Sequence, residues 1–385
     1  MPYGQPYGQQ PPPPPQPQQA PYGPGPQTPY PPYQQQQPGY GHMPPPALRP
    51  GIIPLRPLGL GDILDGTIKL IRSNPKAVLG LSAVAALLAS VPVAIGQAFL
   101  LDALPSPLDD PETIAAAESE LYSVSGILGQ YAPTIISSAI SFVVVTLLTG
   151  VLTRILGRAV FGGNISAGEA WQLVKGRVPA LFGVVGMMAA IMIVPLVVFV
   201  LLLVAIAMNA SGPESGLWLL GLTLVFIVVY LAYYLFFRTR FAFASPAVVL
   251  EGRGPVDAMR RSWHLVSGDF WRVFGILLLT SVLVGLVAGL LTLPFTLAGT
   301  MFGMFGAGAA TPIVSAVLIA IGGTLGSMFT YPFEAGVSGL LYADRRMRSE
   351  AFDLVLQTAA IEQQRQGWVH ASADELWHPS NSARS

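Results

Sequence analysis

Six apolar runs, each long enough to cross a lipid bilayer, constrain this chain more than any other feature. They lie near residues 77–101, 132–156, 179–208, 217–237, 273–297 and 312–342. A hydrocarbon core of about 30 Å takes ~20 helical residues to cross. No water reaches the backbone there, so each run must satisfy its own N–H and C=O groups by coiling into a helix. The expected fold is an all-α polytopic membrane protein with six transmembrane helices. Composition agrees: 52% of the 385 residues are hydrophobic and only 10% are charged, against roughly a quarter charged in a soluble domain. Pro332 lies inside the last run and predicts a kink or tilt there.

The connecting segments predict the orientation. The segment 102–131 holds Asp102, Asp109, Asp110, Glu112, Glu118 and Glu120 but no Lys or Arg, and 209–216 holds only Glu214. The third such loop, 298–311, has no charge of any kind. All twenty basic residues fall in the other segments or at the helix ends facing them. The positive-inside rule then puts both termini in the cytoplasm and the protein, multi-pass, in the plasma membrane.

Residues 1–54 form a Pro-, Gln-, Tyr- and Gly-rich arm with no charge before Arg49. Such a composition cannot bury enough surface to offset its ordering entropy, which predicts a disordered cytoplasmic segment of polyproline II character. It would serve as a solubilising extension or as a docking tail for a protein partner. The membrane domain is expected over 55–342, and 343–385 as a cytoplasmic tail that is helical at first.

One element recurs. "LIRSNPKAVLG" from Leu70, "LVKGRVPALFG" from Leu173 and "LVSGDFWRVFG" from Leu265 each precede an odd-numbered run, 103 and 92 residues apart. Upstream of each the pattern predicts a short amphipathic helix. In the first, Leu60, Ile63, Leu64, Thr67, Ile68 and Ile71 share a face. Ser166 and Glu169 form a capping-box pattern in the second. Gly254-Pro255 starts the third, with Val256, Met259, Trp263 and Val266 on one side and Arg260, Arg261 and His264 towards water or headgroups. The expected unit is an interfacial helix plus a transmembrane hairpin, repeated three times in parallel about the membrane normal.

Little in the chain points to chemistry. There is no Cys, so disulfides, thiol nucleophiles and cysteine-ligated metals are excluded, and zero net charge gives no reason to expect a nucleic-acid partner. His42, His264, His370 and His378 all lie outside the runs, without a second ligand at metal spacing. GxSxG, HExxH and P-loop patterns are missing. No catalytic residue, metal or cofactor is expected. "AIGGTLGS" reads as a close helix-packing surface, and "GAGAAT" as an external turn. Glu334, beside Tyr331 and Pro332, is the one acid well inside a run. Intramembrane acids are candidate ion or proton sites; the structural alternative pairs Glu334 with Arg154, Arg238 or Arg240 at a neighbouring helix end.

The stretches "LRPLGLGDILDGTIKLIRSNPKAVLG", "DAMRRSWHLVSGDFWRVFGI" and "LLYADRRMRSEAFDLVLQ" resemble a family of actinobacterial membrane proteins. That family is similar to the membrane domain attached to some bacterial glycerophosphoryl diester phosphodiesterases. The resemblance covers about residues 55–357 and implies membrane architecture without the catalytic barrel, whose His-Arg-Gly start is missing here. The expected function is a non-catalytic accessory, scaffold or lipid-presenting component that contacts membrane lipids, including anionic ones. The alternative is a small-solute or ion transporter or channel that uses Glu334.

Overall fold

The computed structural model describes residues 51–103, 112, 124–209, 215–306, 310–366 and 376–378. The arm up to residue 50, most of the acidic loop, the loop with Glu214 and part of "GAGAAT" lie outside the described residues, as do His42 and His370. Among the described residues every regular element is a helix. In chain order these are α1 (Leu60–Ser73), α2 (Pro75–Ala103), α3 (Val124–Ala159), α4 (Ala167–Val174), α5 (Val178–Asn209), α6 (Ser215–Arg240), α7 (Ala244–Glu251), α8 (Pro255–Ser267), α9 (Phe270–Phe305), α10 (Thr311–Glu350) and α11 (Phe352–Gln366). Six of them, α2, α3, α5, α6, α9 and α10, are long and apolar enough to span a membrane.

Local signals set several helix starts. Ser166 Oγ accepts from the Glu169 N–H at 3.2 Å while Glu169 Oε2 accepts from the Ser166 N–H at 2.8 Å, closing the capping box that begins α4. Pro255 occupies the first turn of α8, where its missing N–H is no loss. Gly252, at φ 71°, ends α7 in the left-handed region that favours glycine. A short helix thus precedes each of α2, α5 and α9.

The spanning helices do not pack equivalently. α9 lies along α10, α10 along α2, and α2 along α3. Small residues permit the first contact: a side chain at Gly322 would meet Phe295 and Thr292, and one at Gly326 would meet Thr292 Oγ1 at 2.4 Å. Ser90 and Thr324 hydroxyls join α2 to α10 at 2.7 Å. The α5–α6 hairpin, by contrast, touches this group mainly through α3, α9 and the short helices α7 and α8. Pro195 supplies no N–H to the Ile191 carbonyl one turn back, and Tyr233 of α6 donates to that carbonyl at 2.9 Å. Phe199 and Phe226 stack across the same hairpin.

The tightly packed core lies at one end of the bundle, capped by the short helices, and draws on α1, the end of α3, α7, α8 and residues 333–347 of α10. Apolar side chains along the spanning helices, such as Leu201, Val228 and Leu290, remain exposed. This distribution is physical: lipid tails are as apolar as leucine, so only the end outside the hydrocarbon gains from burying apolar surface.

Two expectations are corrected here. The arm does not run to residue 54, because Ile52, Ile53, Leu55 and Leu58 are buried in this core and the Ile52 N–H donates to the Ala159 carbonyl. A side chain at Gly51 would lie 2.2 Å from the Val160 carbonyl oxygen, so only glycine fits that crossing. α10 itself continues through Pro332 to Glu350, in line with a tail that is helical at first. Second, the face that α8 buries in protein is not the one the pattern suggested: it buries Ala258, Ser262, Leu265 and Val266 while Val256 and Trp263 are exposed. In α1 the expected face packs on the core through Leu60, Ile63, Leu64, Thr67 and Ile71, and of its six residues Ile68 alone is exposed. α1 packs on α10, so protein sets its buried face.

Candidate functional site

Among the described residues two polar constellations stand out, and they divide structure from opportunity. The first is a closed charge clasp in the capped end, built on Tyr342–Glu350. Asp344 is fully buried; its carboxylate accepts from the Leu58 N–H at 2.7 Å, Arg272 Nη1 at 2.5 Å and Arg348 Nε at 2.9 Å. Arg272 and Arg348 also donate to the Leu58 carbonyl. Glu251, at the end of α7, accepts from Arg253 Nε at 2.5 Å, from Arg261 Nη2 at 3.0 Å and from the Tyr342 hydroxyl. Glu350 takes Arg261 Nη1 at 2.5 Å and Arg346 Nε at 3.0 Å. Burial alone would lower the Arg261 pKa, but the Glu350 and Glu251 carboxylates beside it hold it above its ordinary value.

The clasp corrects the reading of Arg261 as facing water: its side chain is 17% exposed and aimed at two carboxylates. Arg260 and His264 are exposed as expected. Arg345, Arg346 and Arg348 are likewise not loose tail charges. For Arg346 and Arg348 the signal was present in the sequence, since Asp344–Arg348 and Arg346–Glu350 are both i,i+4 pairs on a helix, whereas Arg345 meets the distant Asp269.

The second constellation is an open cavity of about 220 Å³ between α3, α6, α9 and α10, with Met188 of α5 also on its wall. It holds Glu334 and Arg238. Their side chains approach to 3.5 Å, and Arg238 Nη2 also donates to Ser281 Oγ at 3.2 Å. Both ions stay accessible, at 40% for Arg238 and 49% for Glu334, so the pair is a weak tie. Thr149, Thr153, Ser245, Thr280, Tyr331 and Ser338 add hydroxyls to the lining.

Of the three candidate partners of Glu334, the structure brings only Arg238 to it. Arg240 points instead into an aromatic cage, 4.6 Å from the Trp263 ring and 5.1 and 5.3 Å from Phe270 and Phe236. Arg154 does not line the cavity. Among the described residues, no three His, Asp or Glu side chains converge as a metal site would need.

Depth follows from helix length. Roughly 20 residues cross the hydrocarbon; counted from Ser215 they reach Leu235, and counted from Thr311 they reach Tyr331. Arg238 and Glu334 therefore lie about one turn beyond a bilayer-length stretch of α6 and α10, towards the capped end.

The class is thus a six-span helical membrane protein with a clasped polar end and, beside it, an open cavity that holds an ion pair. Residues 58–344 match the model of a domain of unknown function, DUF7847, and the chain belongs to that family. No curated protein and no solved structure matches the chain.

Proposed function

We propose that this is a non-catalytic component of the cell membrane that holds the headgroup of an amphipathic lipid in the Arg238–Glu334 cavity, as a lipid-presenting or scaffolding element. The observation that carries the reading is the coincidence of three properties in one place. The cavity holds an ion pair about one turn beyond a bilayer-length stretch of α6 and α10, it is open, and the α5–α6 hairpin beside it is only loosely joined to the other four spans. An acyl chain has room to lie against the hairpin while its headgroup enters the cavity. The resemblance to a membrane domain found fused to phosphodiesterases supports a lipid-facing role without catalysis of its own. The test is purification in mild detergent followed by extraction of retained lipid. Wild type is expected to keep a stoichiometric phospholipid through delipidating washes, and Arg238→Gln to lose it. A chain that washes clean while staying folded would overturn the reading.

A transport reading is favoured by one observation, the accessible Glu334 carboxylate. It requires solute or proton flux in proteoliposomes that Glu334→Gln abolishes.

The three helix-plus-hairpin units are proposed as parallel repeats, and the capped end is proposed to face the cytoplasm of the plasma membrane. The charge asymmetry of the loops supports this orientation. Tags at residue 1, at residue 385 and in 159–168 are expected to report cytoplasm, and tags at Asp110 and Pro213 the outside. An external report from either terminus would reverse the assignment.

A further inference from the structure

The headgroup reading can be carried to a chemical class, because four of the cavity's hydroxyls are already committed in one direction. Thr149, Thr153 and Thr280 donate to the carbonyls of Val145, Thr149 and Ile276 at 2.8, 2.7 and 2.7 Å, and Ser338 donates to Ala242 at 2.8 Å. A hydroxyl has one hydrogen and two lone pairs, so these four can offer a ligand only acceptor oxygens. With the Glu334 carboxylate, they set several acceptors suited to an N–H donor into a wall that is otherwise mostly apolar. Arg238 is the cation in the lining and suits a phosphate oxygen. Its link to Glu334 is long and half exposed, so a ligand bearing both charges can replace it without leaving either ion unpaired. The cavity, at about 220 Å³, is smaller than the ~300–1,000 Å³ of pockets that engulf a drug-sized molecule. It fits a headgroup, with the remainder of a lipid outside.

We infer that the cavity selects a zwitterion of the phosphoethanolamine type, its phosphate on Arg238 and its primary ammonium on Glu334 and the threonine and serine oxygens. This inference rests on the headgroup reading above. The same chemistry is offered by a lipid or by the free headgroup, and the experiment separates them.

The full chain in detergent is offered mixed vesicles of phosphatidylethanolamine, its mono-, di- and trimethylated derivatives and phosphatidylglycerol, all with the same acyl chains. Retained lipid is counted by native mass spectrometry. The unmethylated lipid is expected to be retained about tenfold over the trimethylated one, falling stepwise as methyl groups replace N–H donors of a charge-assisted contact. Glu334→Gln is expected to level that series while keeping a phospholipid bound through Arg238. Because the series is read on wild type, a poorly folding variant does not blunt the test. Equal retention of the unmethylated and trimethylated lipids would overturn the inference and leave the lipid site standing. No retained lipid of any kind would overturn the headgroup reading, unless soluble phosphoethanolamine raises the thermal midpoint where choline phosphate does not. That outcome keeps the ligand chemistry and assigns it to a free solute.

Discussion

Glu251→Gln is expected to be among the most damaging single substitutions in this chain. The Glu251 side chain is fully buried and answers Arg253, Arg261 and the Tyr342 hydroxyl, with Arg346 Nε 3.6 Å away. Removing one partner of a buried ionic network leaves the others desolvated and uncompensated, which costs about 3–5 kcal/mol. The loss reaches further than one pair, because the network joins α7, α8 and the end of α10. Thermal unfolding in detergent measures it, with Glu334→Gln as the internal comparison. Glu334 sits in a half-exposed pair, whose worth is ~0–1 kcal/mol. Equal effects of the two substitutions would mean that the clasp is not the element that locks the capped end.

Trp377→Ala is the second large effect expected. Trp377 is completely buried although it lies far along the C-terminal tail. Its ring meets Phe161 edge-on at 6.0 Å and Phe352 at 5.3 Å, and its Nε1 donates to the Gly157 carbonyl at 3.2 Å. Arg346 Nη1 donates to the Trp377 carbonyl, and the guanidinium lies 4.1 Å over the Phe352 ring. Truncating a buried tryptophan costs about 3–5 kcal/mol in transfer and cavity terms. Here it also exposes Arg346 and, through it, the clasp. A chain ended after Gln366 is expected to match Trp377→Ala in thermal midpoint, since both remove the same anchor. Gly157→Ala is expected to lower the midpoint too, because its Cβ would sit 2.7 Å from Leu250 and 3.4 Å from Trp377 Nε1. A Trp377→Ala protein as stable as wild type would show that the tail does not dock.

The candidate site was legible in part. Glu334 stands out in sequence because an acid inside an apolar run violates the solvent's demands, and helix-end arginines were its evident partners. Which arginine meets it was not legible. Arg238 and Arg240 are two residues apart on α6 and so lie on different faces; one reaches Glu334 and the other enters the cage of Phe236, Trp263 and Phe270. The cavity itself has no sequence signature, since Val145, Met188, Leu277 and Glu334 come from four helices distant along the chain.

What the sequence determined by itself is what local rules and the solvent impose. Helices across the apolar runs follow because lipid leaves the backbone no other partner. The starts of α4 and α8 follow from Ser166–Glu169 and Gly254-Pro255, whose capping chemistry is complete within one turn. The glycines of "AIGGTLGS" read correctly as a packing face, because small residues are what let membrane helices approach. Only the tertiary structure decided which charges are buried. Asp344 bonds the Leu58 N–H across 286 residues, and Trp377 bonds Gly157 across 220. Taken alone, an arginine beside a span looks the same whether it faces headgroups or a carboxylate, since both satisfy its charge. The choice rests on which helix ends the packed bundle brings together, and no local pattern encodes that.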